Sequence, residues 1–436
     1  MKTSRTRHVL PCSLLTLAAL LGLSSCAPET LEQEEPGTLP SALYYPSITY
    51  GTLRTLAPGV TYRHASDVSV PWQIDIIEVD LANPNVELVP LVRAGTGVER
   101  TSAMAARAGA IAAVNAGYFA STGLSYSHIE VDGTVLATNA SSRPARSTFG
   151  LSAQHNATLL QVRVDSTNTP VPADPAYGSI LDAIGGGPNL VTNGVVDVRD
   201  VEEGFDAASG IGSTTRGPRT ALCRKSASKK VSLVTVDGRQ SGWSVGMTLA
   251  ELARLLVDLG CERGMNYDGG GSTTAWVNGA VVNRPSDGTE RSVVSAWGVV
   301  PSFVIDNGDA EFSSVGSWTA SANAGFYATE SLYLAGGTGA NSATWRPNLA
   351  RSGKYKVYAW WVASSNRASG APFDVRHALG TTRVTVDQRA QGGQWNLLGT
   401  FSFNAGTAGA VTLTDAVPSS QVLSADAVKF VYAGTL

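Results

Sequence analysis

The chain has 436 residues, long enough for two domains, or three, each with a sizeable core. Charged residues make up 15%, the formal net charge is -3 and the pI is near 6.0, which leaves no electrostatic footprint for nucleic acid. Glycine is abundant, at 46 residues, and helical patterns are few, so strands and turns rather than helical bundles are expected to carry the fold.

In chain order, Lys2, Arg5 and Arg7 form a basic region, followed by an apolar run over residues 14–23 and then Leu23-Ser24-Ser25-Cys26. The run is too short to cross a bilayer as a helix. The tetrapeptide resembles a bacterial lipobox. That resemblance implies that residues 1–26 are a lipoprotein signal and that Cys26 becomes the lipid-modified first residue of an exported envelope protein. The membrane would then be a partner through the lipid anchor only; an ordinary secretory signal cut nearby is the alternative. Residues 27–49, rich in Glu, Pro and Thr, read as a flexible tether.

Over residues 50–303 short apolar strands alternate with glycine turns. Val131-Asp132-Gly133-Thr134, Thr192-Asn193-Gly194-Val195 and Val277-Asn278-Gly279-Ala280 each place an Asp-Gly or Asn-Gly pair between strand-like flanks, a strong hairpin signal. Thr248 and Glu251 make a capping box ahead of Leu249, Leu252, Leu255, Leu256 and Leu259, which share one helical face, and Gly260 ends that helix. A second helix is expected over 101–108. The fold class that follows is α+β, a mixed or antiparallel sheet with packed helices.

The texture changes between residues 300 and 311, where Ser, Ala, Thr and aromatic residues take over. In 354–362 (KYKVYAWWV), Tyr355, Val357, Ala359 and Trp361 face one way and Lys356, Tyr358 and Trp360 the other, which is strand behaviour. Further strands are expected at 383–387, 395–403, 410–414 and 427–432, so residues 311–434 read as an all-β sandwich.

The chemistry concentrates at Asp268-Gly269-Gly270-Gly271-Ser272-Thr273-Thr274. Glycines let backbone N–H groups approach a ligand, and a run of such groups suits an anion. The adjoining carboxylate suits an acid, base or nucleophile. Four other segments place polar residues beside strands and glycines: Asn115-Ala116-Gly117-Tyr118-Phe119, the stretch containing Gly185-Gly186-Gly187-Pro188-Asn189, Arg216-Gly217-Pro218-Arg219-Thr220 and Asp237-Gly238-Arg239. Together with Asn266-Tyr267-Asp268 these resemble the phosphodiester glycosidase family, whose best-known member removes N-acetylglucosamine from a phosphodiester. The similarity runs over about residues 95–301.

That resemblance implies a hydrolase cleaving the glycosidic C–O bond of a sugar 1-phosphodiester, with a sugar-phosphate diester or polysaccharide as partner. Arg219 would bind the phosphate as a planar fork, with Thr220, Ser272, Thr273 and the N–H groups of Gly269, Gly270 and Gly271 beside it. Asp268 is the first candidate catalytic carboxylate and Asp237 the second, each with an ordinary turn role as its alternative. Asn115 would orient the sugar or a carboxylate, and Gly117, Tyr118, Phe119 and Gly187 would shape the sugar site. No cofactor is expected, and no cluster has zinc-ligand spacing; the one cation candidate is Ca²⁺ or Mg²⁺ between Asp237 and Asp268. With Cys12 removed and Cys26 lipidated, Cys223 and Cys261 remain, either paired or as buried thiols. Two rival functions stay open, a non-catalytic glycan-binding protein and a phosphodiesterase cutting P–O.

The second domain, through Ser317-Trp318, residues 353–360 (GKYKVYAW) and Ala425-Asp426-Ala427-Val428-Lys429, resembles the golvesin C-terminal or xanthan-lyase-associated sandwich. This implies polysaccharide binding, with Tyr358, Trp360 and Trp395 stacking on sugars or else filling the core.

Overall fold

Asp132, Asn193 and Asn278 take φ angles of 50°, 51° and 47°, and each precedes a glycine that is also at positive φ. Short polar side chains and glycine tolerate that region, and its twist matches the flanking strands. Val131 accordingly pairs with Thr134, Thr192 with Val195 and Val277 with Ala280, so all three expected hairpins form. The computed structural model describes residues 43–137, 143–164, 170–172, 175–205, 211–225 and 229–436. Cys26, the signal and most of the tether lie outside the described residues.

The first domain is built from antiparallel sheets. In the largest, Val60–Asp67, Trp72–Asp80, Lys230–Val236, Arg219–Lys225, Cys261–Asn266 and Asn189–Thr192 lie side by side in that order. A second sheet centres on Arg146–Ser152 and Ile180–Gly185, and a third on Ala112–Asn115 and Ser295–Ile305. Ile77, Val114, Phe149, Leu222 and Trp297, drawn from all three, are buried in one core. Cys223 and Cys261, on adjoining strands, form a disulfide.

Two α-helices occur among the described residues, Thr101–Ala108 and Leu249–Asp258. The second starts where the capping box places it: Thr248 Oγ1 accepts from the Glu251 N–H at 3.1 Å and Glu251 Oε2 from the Thr248 N–H at 2.9 Å. Its leucines at 249, 252, 255 and 256 are buried against the large sheet, each contributing about 2 kcal/mol. The α+β class holds, with β structure dominant and helix packing slight.

The second domain is a sandwich. Phe312–Val315, Ser342–Trp345, Ala410–Thr414, Ala371–His377 and Gly380–Val386 form one sheet, facing Val428–Gly434, Gly353–Ala359 and Asn396–Phe403. Trp345, Phe373, Phe403 and Phe430 fill its core, and Tyr355, Val357 and Ala359 point inward as the alternation requires.

Ser295–Ile305 belongs to both halves. Its first seven residues pair with Val86–Val92, and Ser302–Ile305 pairs with the last strand of the sandwich. The change of sequence texture near residue 303 therefore falls inside a shared strand. Beside it, Glu87 is buried between Lys429 of the sandwich at 2.8 Å and His155 at 2.8 Å.

Candidate functional site

Asp268 leaves the end of strand Cys261–Asn266 and lines a cavity of ≈ 400 Å³. Gly269, Gly270 and Gly271 form one wall. Glycine fits each position for a distinct reason. A Cβ on Gly269 would stand 2.5 Å from Pro218 O, Gly270 holds φ at 61°, and a Cβ on Gly271 would collide with the Asp287–Arg291 pair. The loop winds into a short 3₁₀ turn over Gly270–Ser272, in which Gly270, Ser272 and Thr273 donate their N–H groups to the carbonyls of Pro218, Gly269 and Gly270. Burial pushes the Asp268 pKa up to about 6; Ser272, Arg291 and the Gly269 N–H draw it only part of the way back. A carboxylate poised there fits acid–base or nucleophilic work near neutral pH.

Asn115 does not reach into the cavity. Its Nδ2 donates to Asp268 O at 2.7 Å, and its Oδ1 accepts from Thr220 Oγ1 at 2.7 Å and from the Thr274 N–H at 3.0 Å. It is a buried positioning residue that ties both ends of the Asp268 loop to its own strand, and Thr220 is the hydroxyl that orients it. The amide that does line the cavity is Asn266. Its Nδ2 donates to Tyr118 Oη at 2.8 Å and Tyr267 O at 2.6 Å, while its Oδ1 is buried without a partner among the described residues. An orphaned buried acceptor on a cavity wall suits a ligand N–H or O–H.

Tyr118 and Phe119 line the cavity as expected. Tyr118 donates to Gly187 O at 2.8 Å and its ring lies 5.2 Å from that of Phe205, tilted by 40°, so Gly187, which follows its φ of 106° into a cis bond with Pro188, acts from behind the wall. Gly117 is a close-approach position, since a Cβ there would meet Ser127 Cβ at 2.7 Å. Ser272 touches the Asp268 carboxylate, and Thr273 is buried beneath the loop.

Thr220 and Thr273, expected beside the phosphate, are buried off the cavity, and the Gly270 N–H expected there is spent on Pro218 O. Two charged candidates are corrected as well. Arg219 is no free phosphate fork: its Nε donates to Met247 O at 2.8 Å, its Nη1 to Ile211 O at 3.0 Å and its Nη2 to Gly212 O and Thr215 O, both at 2.8 Å. It clamps the loop that forms one side of the cavity. Asp237 does not line the cavity. Its oxygens accept from Trp243 Nε1 at 2.8 Å, Asn283 Nδ2 at 3.1 Å and the Arg284 N–H at 3.0 Å, so it pins three chain segments together. This also removes the first ligand from a cation held between Asp237 and Asp268. Asp237→Ala leaves three donors unpaired and is expected to cost about 2–4 kcal/mol of stability, with turnover per folded molecule within about threefold of wild type. Urea denaturation and turnover of the same sample check this; a thousandfold loss of turnover at unchanged stability would return Asp237 to the chemistry.

Apart from Arg219, the arginines of the cavity are residues to which the sequence reading gives no role. Arg143, Arg146, Arg216, Arg219, Arg239 and Arg291 line the cavity, against Asp268 as its only carboxylate among the described residues. Arg216 pairs with Glu251 and Arg291 with Asp287. Arg239, exposed and held at φ 60°, has no salt-bridge partner among the described residues and lies against Gly270. Its place after Asp237-Gly238 was the one local signal; nothing around Arg143 and Arg146 marks them.

In the sandwich, Trp395 is buried, whereas Tyr358 and Trp360 are half-buried, and all three contact neighbouring groups. Lys429 Nζ sits 4.9 Å from the Tyr358 ring and 4.8 Å from the Trp395 ring, Trp395 is 6% exposed, and Trp360 Nε1 donates to Gly325 O at 2.8 Å. No helix among the described residues is long and apolar enough to cross a membrane.

Comparison with known proteins follows the same division. Xanthan lyase of Bacillus sp. (strain GL1) is 44% identical over 140 residues, 31% of this chain and 15% of that protein. The SPbeta prophage-derived uncharacterized protein YomE of Bacillus subtilis (strain 168) is 38% identical over 98 residues, 22% of this chain and 15% of that protein. The chain thus spans only about a seventh of the length of these curated relatives. Among solved structures, the catalytic domain of zebrafish N-acetylglucosamine-1-phosphodiester alpha-N-acetylglucosaminidase, auto-inhibited by its pro-peptide, is 22% identical with a TM-score of 0.42, over 58% of this chain and 83% of that one. Residues 108–300 match the phosphodiester glycosidase family and residues 303–432 the Golvesin C-terminal domain. The chain is therefore a phosphodiester glycosidase family domain followed by a Golvesin C-terminal domain.

Proposed function

We propose that this protein is a carbohydrate-active hydrolase that breaks the glycosidic C–O bond of a sugar 1-phosphodiester. The observation that carries the reading is Asp268, the one carboxylate among the described residues of a cavity whose other described charges are arginines, raised to about 6 beside a glycine loop. The family match over residues 108–300 supports it. The phosphate lies against Arg239 and the glycine wall, with Arg291 at the rim, and the sugar lies toward Tyr118 and Phe119, offering a donor to Asn266 Oδ1. As the C1–O bond breaks, its electron pair goes to the phosphate oxygen, which needs little protonation to leave. Ionised Asp268 either attacks C1, forming a glycosyl ester that water then hydrolyses to free sugar and carboxylate, or takes the proton of the water that attacks C1, and one carboxylate suffices. Export and a lipid anchor at Cys26 would place this activity on envelope or extracellular polysaccharide.

The test is hydrolysis of methyl N-acetylglucosamine 1-phosphate in ¹⁸O-labelled water by protein from residue 27 onward. Label in the released sugar supports the reading. Label in the phosphate makes the protein a P–O phosphodiesterase, and saturable glycan binding without product makes it a binding protein.

A further inference from the structure

Among the described residues, the cavity holds more positive charge than one phosphodiester neutralises. Arg239 already accompanies the glycine wall, and a second, separate pair of guanidinium groups lies on the aromatic wall. Arg146 is 3% exposed with its guanidinium 4.0 Å from the Phe205 ring, and Arg143 lies 5.3 Å from the Tyr126 ring. Phe205 in turn packs on Tyr118, so this wall is continuous with the expected sugar site. Arg146 donates Nε to Glu203 O at 3.2 Å and Nη2 to Gly204 O at 3.3 Å, both neutral acceptors. The nearby Glu203 carboxylate is engaged elsewhere, accepting from the Ser147 N–H and hydroxyl, Gln161 and the Asn189 N–H. Neither Arg143 nor Arg146 has a salt-bridge partner among the described residues. Burial and the charge of Arg143 together push Arg146 down to about 10. Two like charges kept together, one of them desolvated, are stabilised by an anion bound between them, and planar guanidinium forks suit a carboxylate or phosphate.

We propose that Arg143 and Arg146 form a second anion subsite, so that the preferred substrate is a sugar 1-phosphodiester bearing another oxyanion. The inference rests on the phosphodiester reading above. The second oxyanion comes either from a further phosphate in the leaving group or from a carboxylate on the sugar.

Three substrates separate these sources: methyl N-acetylglucosamine 1-phosphate with one anionic group, UDP-N-acetylglucosamine with a diphosphate, and methyl glucuronic acid 1-phosphate with a sugar carboxylate. One of the latter two is expected to show a kcat/KM about 10- to 100-fold above the first, the worth of a charge-assisted contact. Arg143→Ala is expected to abolish that preference, bringing the kcat/KM of the doubly charged substrate down to that of the singly charged one in the same variant, and Arg143→Lys to restore part of it. Equal kcat/KM for all three, or a preference that survives Arg143→Ala, overturns the subsite. Calorimetric binding of the same compounds to Asp268→Asn protein keeps the question apart from hydrolysis. If no compound is turned over, an Arg143-dependent binding preference for a doubly charged one still supports the subsite while the catalytic reading fails, and its absence overturns the subsite as well.

Discussion

Replacing Asp268 by Asn is expected to lower turnover on the order of 10³-fold or more and, at the same time, to make the folded protein more stable at pH 8. Both effects come from one cause. The carboxyl is shifted from 3.8 to about 6 chiefly by burial, so the folded state holds a proton that the unfolded chain releases. Between those two values stability therefore falls as pH rises, and above about 6 the full cost of the buried charge is present, on the order of 2–3 kcal/mol for a shift of this size. Asparagine has no charge to bury. The gain should be seen at pH 8 and vanish at pH 3, where the aspartate is protonated in both states. For wild type, kcat/KM should rise with pH through about 6 as the working carboxylate ionises. Denaturation at both pH values and a pH–rate profile check the three consequences together. Wild-type turnover in the Asn variant would remove Asp268 from the mechanism, and a pH profile flat through 6 would remove its ionised form.

Lys429→Met is expected to cost about 3–5 kcal/mol at pH 7, because it strands a buried carboxylate between the two domains. Burial alone would raise the Glu87 pKa, but His155 and Lys429 outweigh it and hold Glu87 down at about 2. Burial also pushes Lys429 downward, so the intact cluster is worth less than the loss caused by breaking it. The Glu87 contribution is present above its unfolded value of 4.5 and is lost as pH falls toward 2. The penalty of Lys429→Met should shrink over the same window, and Glu87→Gln added to it should recover much of the loss. Urea midpoints of both single variants and the double variant at pH 7 and pH 3 measure this. A single-variant cost below about 0.5 kcal/mol would mean that water, not protein, solvates the cluster.

The buried cluster has no counterpart in sequence, since its members stand at 87, 155 and 429. Local features were legible because their causes are local. An Asx-Gly pair turns a hairpin through its own dihedrals, Thr248 and Glu251 cap a helix three residues apart, and alternation at Tyr355, Val357 and Ala359 reports one face of one strand. The glycine loop was legible for the same reason. The division of labour between Asp237 and Asp268 was not. Both follow a strand and precede a glycine, yet Asp237 is closed by Asn283 and Arg284, 46 and 47 residues further on, whereas Asp268 opens onto a cavity. Arg219 looked like a phosphate ligand until the carbonyls of Ile211, Gly212, Thr215 and Met247 surrounded it. Arg143 and Arg146 carried no motif and became part of the site because Phe205, Tyr118 and Tyr126 are brought beside them. The sequence by itself determined the turns, the helices, the strand faces and the loop beside Asp268. Only the tertiary structure decided which charged groups are satisfied and which remain facing the cavity, because hydrogen-bond partners and local potential are set by residues distant along the chain.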